Sequence, residues 1–144
     1  MSLIHASCIE FMESGLLICG EPGAGKSDLC FRLTEMGARL VADDQTQIEN
    51  IHGRLIASCP DSLQGLLEVR GLGIIEMPFL PKTQIHLKLS LQTSGKIDRM
   101  PEAETEIIEG VKIPVFRLNG FEVSTALKIK TYIQILNGQR KVIR

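Results

Sequence analysis

The apolar run Leu16-Leu17-Ile18-Cys19 leads straight into Gly20-Glu21-Pro22-Gly23-Ala24-Gly25-Lys26-Ser27, and no other stretch narrows the choice of fold so far. Four consecutive apolar residues between turn residues are the pattern of a short strand covered on both faces. Ser27 to Met36 then sets Leu29, Cys30 and Leu33 on one side of a helix, and Gly37 is a natural left-handed terminator. Strand, glycine loop and helix in that order are the context in which Gly-x-x-x-x-Gly-Lys-Ser/Thr holds phosphate. The glycines let backbone N–H groups turn inward, and the helix N-terminus adds partial positive charge. Lys26 can bridge outer phosphates, and the Ser27 hydroxyl can ligate Mg²⁺. The bland alternative is a glycine turn with a stray lysine.

One hundred and forty-four residues is the length of a single domain, and residues 1–144 are read as one. With 44% hydrophobic and 23% charged residues the chain can build a core without disulfides, burying about 68–70% of its unfolded surface. The 16 basic and 17 acidic side chains nearly cancel, and five Phe, one Tyr and no Trp leave little to stack on bases. General nucleic-acid binding is therefore disfavoured. Cysteines 8, 19, 30 and 59 form no Cys-x-x-Cys pair and have no His at zinc-ligand spacing, so reduced buried thiols and a cytoplasmic location are expected. Glu10 and Glu13 stand where an export leader would be basic, and no apolar run approaches the ~18–20 residues that span a bilayer. The expectation is a soluble protein without membrane partners.

Along the rest of the chain, Ile4 to Met12 reads as extended, with a tight turn at Glu13-Ser14-Gly15. Leu40-Val41-Ala42 is a second buried strand, and Gln45–Ile51 and Arg54–Ser58 form a hairpin about His52-Gly53. Ile85, Leu87, Leu89 and Leu91 alternate with polar residues, which predicts one buried and one wet face. Between Thr93 and Ala103 the apolar pattern stops, predicting an exposed loop. Val123 to Leu136 resumes helical spacing, with Ala126, Ile129, Ile133 and Leu136 on one stripe, and a short basic tail follows. His52 and His86 read as turn and surface residues.

Two further clusters carry chemistry. Asp43-Asp44 directly follow a strand, at the rim where open α/β sheets bind ligands. If extended geometry continues through the pair, the carboxylates face opposite ways, one toward the phosphate and one toward its support. In Glu68-Val69-Arg70-Gly71-Leu72-Gly73-Ile74-Ile75, alternation sets Glu68 and Arg70 on one face. They can hold a metal and a phosphoryl oxygen; the alternative is a plain surface ion pair.

His5-Ala6-Ser7-Cys8, the loop Gly20 to Ser27, Leu40 to Asp44 and Glu68 to Ile75 together resemble the HPr kinase/phosphorylase family, the last segment most specifically. Lys96-Ile97-Asp98-Arg99 is similar to that family's mobile loop and Ile113-Pro114-Val115 to a further landmark. The short type, the kinase portion alone, is the form resembled. After Pro114-Val115 the chain departs, reading Phe116-Arg117-Leu118-Asn119-Gly120 where a Pro-Gly-Arg-like segment is expected. The resemblance implies a kinase with a phosphoenolpyruvate carboxykinase-like fold. It would move phosphate from ATP or pyrophosphate, with Mg²⁺, onto a serine of the phosphocarrier protein HPr, and reverse the transfer. It also implies a homo-oligomer, with the hexamer as the family's form. Asp43 would be the general base, with His5 orienting it. Ser27, Glu68 and Asp44 would support the metal. Lys26, Arg70 and Arg99, with Lys96, would meet the phosphoryl charge.

The reading is thus an α/β fold: a single P-loop domain with a mixed sheet, acting as a serine protein kinase. Alternatives are a small-molecule P-loop kinase, because the loop does not define the acceptor, and a nucleotide-sensing binding protein that transfers nothing.

Overall fold

Short apolar runs punctuated by turn residues build a sheet-rich domain. The computed structural model describes residues 1–143; Arg144, the last charge of the basic tail, lies outside them. In chain order come β1 (Ser2–Ile4), β2 (Ser7–Phe11), β3 (Ser14–Cys19), α1 (Lys26–Glu35), β4 (Arg39–Ala42), β5 (Thr46–Ile51) and β6 (Arg54–Ser58). There follow β7 (Leu66–Val69), β8 (Gly73–Glu76), β9 (Lys82–Leu91), β10 (Glu104–Ile108), β11 (Val111–Leu118) and α2 (Thr125–Leu136). β7 and β8 pair only with each other; the other nine strands form one mixed sheet.

The ten-residue β9 holds this sheet together. Its first residues pair antiparallel with β6, while the remainder runs parallel to β3 and, from Lys88, to β11. The sheet curls around two cores. One, with Ile9, Leu16, Ile18, Leu87 and Leu89, is covered by Leu29 and Leu33 of α1 and by Ile129 and Ile133 of α2. The other, with Cys8, Leu17, Val41, Ile48, Leu55 and Ile85, lies within the curl. Leu16, Leu17 and Ile18 thus alternate between two cores, which is why the strand reads as continuously apolar.

The predicted alternation of β9 is seen in its burial, with Ile85, Leu87, Leu89 and Leu91 buried and His86 exposed, but a bulge divides the buried residues between the two cores. Gly15 pairs with Ile85 but Leu16 with Leu87, so His86 is the extra residue, and Ile85 enters the other core from Leu87. The Gly15 N–H donates to His86 Nδ1 at 3.3 Å, and a Cβ on Gly15 would stand 2.0 Å from the Gln84 carbonyl oxygen. That glycine therefore serves close backbone approach, not the turn expected at Glu13-Ser14-Gly15. The turn lies one step earlier, at Met12-Glu13, with φ of 54° and 64°. These are the angles of a two-residue hairpin turn, as are those at His52-Gly53 and Glu109-Gly110. The predicted extended run also breaks between β1 and β2, placing His5 in a bend. In α2 the buried stripe is Thr125, Ile129 and Ile133, with Ala126 packed at its margin and Leu136 exposed.

β4 and β11 run in the same direction as β3 and β9, whereas β2 runs against them. Five segments consequently meet at one edge: the bend before β2, the glycine loop after β3, Asp43-Asp44 after β4, the loop after β9 and the turn after β11. Ligands of open α/β sheets gather at such an edge.

Candidate active site

The glycine loop joins β3 to α1 as the local pattern requires. Gly23 and Gly25 adopt φ of 86° and 98°, a region that L side chains rarely enter. Among the described residues, the amides of Lys26, Ser27 and Asp28 have no acceptor, as expected at a helix N-terminus. Lys26 Nζ curls back to donate to the Gly20 carbonyl at 2.9 Å. The loop is braced from the other side by the turn after β11. There a Cβ on Gly120 would lie 2.8 Å from the Ala24 carbonyl oxygen, and Arg32 of α1 donates to the Gly120 carbonyl.

The paired carboxylates have different surroundings. Asp43 Oδ1 accepts from Ser27 Oγ at 2.7 Å and from Ser7 Oγ at 3.0 Å, while its Oδ2 accepts from the Glu68 N–H at 3.3 Å. The Ser7 hydroxyl also accepts from the Asp44 N–H at 3.1 Å, so one fully buried serine ties the pair together. Extended geometry does not continue here: Asp44 has φ 66°. This left-handed step, which Asp tolerates better than most residues, turns its carboxylate into the open cleft. There Asp44 Oδ1 meets His5 Nδ1 at 3.2 Å, its side chain 55% exposed. The expected pairing of His5 with Asp43 is therefore corrected: His5 belongs to Asp44, and Asp43 belongs to Ser27. Ser7 is the residue that sequence reasoning passed over. Its signal was a lone hydroxyl between the apolar Ala6 and Cys8 at the start of a strand.

The tip of the β7–β8 hairpin completes the cleft. Glu68 and Arg70 are both exposed and both line it, with Lys26, Ser27 and Asp44, around a volume of about 470 Å³. That is the size range of small-ligand sites. The alternative of a Glu68–Arg70 ion pair is not realised, and among the described residues neither Arg70 nor Lys26 has a carboxylate within 4.0 Å. Lys26, Arg70 and the helix amides offer donors to phosphate oxygens, and Asp28, Asp44 and Glu68 line the same cleft, so cationic and acidic groups share it. Lys96 and Arg99 do not line it, but their loop leaves β9 at the same edge.

A metal would find few protein ligands here. No three His, Cys, Asp or Glu side chains converge among the described residues. Mg²⁺ ordinarily takes one or two carboxylates plus phosphate oxygens, so Ser27 beside Asp43, with Glu68 close by, fits that ion better than it fits a dedicated cage. The cysteines are free, as expected, and burial holds the thiols of Cys8 and Cys30 well above their ordinary pKa, which removes them as nucleophiles.

A cleft lined by a glycine loop, acidic side chains and two cations without carboxylate partners, at one edge of a curled mixed sheet, is what fold and side chains define among the described residues. Residues 1–135 match the family of HPr serine kinase C-terminal domains, and the chain belongs to that family. The HPr kinase/phosphorylase of Clostridium tetani is 48% identical over 77 residues, covering 54% of this chain and 25% of that protein. That of Clostridium novyi is 37% identical over 125 residues, covering 80% and 40%. The chain thus spans between a quarter and two fifths of the length of these curated relatives. Among solved structures, the HPr(Ser) kinase/phosphatase from Coxiella burnetii superposes with a TM-score of 0.87 at 28% identity, covering 96% of this chain and 98% of that one. The mixed α/β architecture expected from sequence is therefore that of an HPr(Ser) kinase/phosphatase. Among the described residues, no helix is long and apolar enough to cross a membrane.

Proposed function

We propose that this chain is a P-loop domain of the phosphoenolpyruvate carboxykinase-related type that phosphorylates a serine of the phosphocarrier protein HPr in the cytoplasm. The donor is ATP or pyrophosphate with Mg²⁺, and phosphorolysis is the reverse of the same transfer. The observation that carries this reading is the contrast within one cleft: a carboxylate left open beside His5 faces a glycine loop whose lysine and neighbouring arginine are uncompensated. Phosphoryl transfer requires in-line placement, spread positive charge and one proton acceptor, and little else.

In this reading the amides of Gly23 to Ser27 and Lys26 hold the donor phosphates. Ser27 and Asp43, with Glu68 beside them, would hold Mg²⁺, which would neutralise charge on the donor when bound. Arg70, joined by Arg99 and Lys96 from the loop after β9, meets the charge on the moving phosphoryl group. As the serine oxygen bonds to phosphorus and the bridging P–O bond to the leaving phosphate breaks, the serine proton passes to Asp44. His5 orients that carboxylate. In the reverse direction Asp44 returns the proton to the departing serine oxygen. The base is placed on Asp44 because its carboxylate opens into the cleft, whereas that of Asp43 is turned inward to Ser7, Ser27 and the Glu68 amide, on the side where the metal would sit. Self-association belongs to the same reading, supported by Leu72 and Ile74, which stand exposed on the β7–β8 hairpin.

Incubation with γ-labelled ATP and Mg²⁺, offering purified HPr and a panel of small metabolites side by side, tests the reading. Label is expected on a serine of HPr. Label confined to metabolites would replace it with a small-molecule kinase, and tight ATP binding without transfer would replace it with a sensor.

A further inference from the structure

One side chain in the cleft takes no part in this chemistry. Phe121, in the turn between β11 and α2, is 63% exposed, and the backbone that carries it is held by hydrogen bonds. Its N–H donates to Asn119 Oδ1 at 2.7 Å, Thr125 Oγ1 donates to the Asn119 carbonyl at 2.6 Å, and Arg32 fastens the Gly120 carbonyl to α1. The ring lies over the glycine loop, where a Cβ on Gly25 would come within 2.9 Å of it. A large apolar face placed at the edge of a polar cleft has no role in packing the core.

Its position relative to the catalytic groups indicates what it faces. β3 lies between β2, which leads to β4, and β9, which leads to β11. Asp44 and the hairpin tip carrying Arg70 stand on the β4 side of the glycine loop, tied there by the Asp43 contact to the Glu68 amide. Phe121 stands on the β11 side. A donor whose terminal phosphate faces Asp44 and Arg70 has its other end pointing toward Phe121. An inorganic polyphosphate has nothing to place there; a nucleotide has a base.

We propose that Phe121 is the platform on which the purine base of a nucleoside triphosphate donor stacks, so that this chain binds the nucleotide more tightly than an inorganic polyphosphate, which stays usable as a donor. The proposal rests on the phosphate-cleft reading above. Stacking of one base on an aromatic ring changes affinity by roughly tenfold or more.

The test compares Mg²⁺-ATP with Mg²⁺-tripolyphosphate, which carries the same phosphates and no base, by isothermal titration calorimetry. Phe121→Ala is expected to weaken ATP about tenfold more than tripolyphosphate. The chain has no tryptophan, so Phe121→Trp creates a single indole reporter. This variant is expected to keep ATP affinity and to lose emission on ATP but not on tripolyphosphate. Equal weakening of both ligands by Phe121→Ala would make the ring a mere brace for the loop and overturn the proposal, as would no change, or indole quenching by both ligands alike. If the wild-type chain binds neither ligand, the phosphate-cleft reading falls first; if it binds both and Lys26→Ala weakens both, that reading stands whatever Phe121 does.

Discussion

The floor and the mouth of the cleft are built on opposite principles. On the floor, Ser7, Ser27 and the Glu68 amide converge on the Asp43 carboxylate, and the Cys30 thiol is close enough to feel its charge. At the mouth, Asp44 has one side-chain partner, His5, while Arg70 and Lys26 have no carboxylate, among the described residues. The floor is organised before any ligand arrives; the mouth keeps its charges unspent until one does. Adjacent aspartates are thereby given different surroundings, the condition under which two carboxylates can take different roles.

The sharpest way to break this contrast is to remove each carboxylate in turn. Asp44→Asn should lower kcat by about 10²–10⁴, equivalent to roughly 3–5 kcal/mol of barrier, while leaving ATP affinity and thermal stability close to wild type. Asp43→Asn should instead lower stability and raise the Mg²⁺ concentration needed for half-maximal rate. A protein that tolerates Asp44→Asn but loses turnover without any change in metal requirement on Asp43→Asn would reverse the two assignments. Ser7→Ala comes next. It strips a buried hydroxyl from two partners, one of them charged, at an expected cost of about 1–3 kcal/mol, and Tm should fall by roughly 4 °C for each kcal/mol at this length. An unchanged melting temperature would mean that the floor is not held by Ser7.

The same division separates what the sequence discloses from what it conceals. The glycine loop is legible because its chemistry is local: Gly23 and Gly25 supply the positive φ, and Lys26 and Ser27 follow at fixed offsets. The surroundings of Asp43 and Asp44 are not legible, because they are set by residues 36 and 39 positions away and by one left-handed backbone step. Turn chemistry shows the same limit. His52-Gly53 carries its glycine and is readable, whereas Met12-Glu13 makes an equivalent turn with neither glycine nor asparagine. The hairpin of β10 and β11 went unforeseen because Pro114 interrupts it, and proline cannot donate to a ladder. It is accommodated because it lies one residue before Val115, where β11 begins to pair with β9. The bulge at His86 left no mark in an alternation that looked perfect.

A smaller effect follows from the floor's buried thiols. Burial first, and the Asp43 charge second, raise the pKa of Cys30; burial also raises that of Cys8. A group whose folded pKa exceeds its unfolded value of about 8.5 contributes fully below that pH and loses its contribution as pH rises toward the folded value. Stability should therefore be flat from neutral pH to about 8.5 and then decline, by up to about 1.4 kcal/mol per pH unit for each such thiol. Urea titrations between pH 7 and 10 check this. Cys30→Ala should flatten the decline, and an identical slope in the variant would show that Cys30 titrates in the folded state as it does unfolded.

The smallest effect is expected where surface charges are paired, and it sharpens the contrast with the mouth. Away from the cleft, Arg32, Lys88, Arg117 and Lys128 each have a carboxylate partner. In the tightest of these, Arg117 donates through Nε at 3.1 Å and through Nη2 at 2.6 Å to Glu104, and these hydrogen bonds lower the Glu104 pKa. A carboxylate with a depressed folded pKa adds stability above its unfolded value of about 4.3 and loses it as pH falls through the folded value. Because both side chains are in water, Glu104→Gln should move Tm at pH 7 by less than about 2 °C and leave turnover unchanged. An NMR titration of the Glu104 carboxyl carbon should place its midpoint below that of an ordinary glutamate, and salt should move it back. A midpoint at the ordinary value would mean that even this geometry is averaged out by solvent; the free charges of Lys26 and Arg70 would then no longer stand out from the rest of the surface.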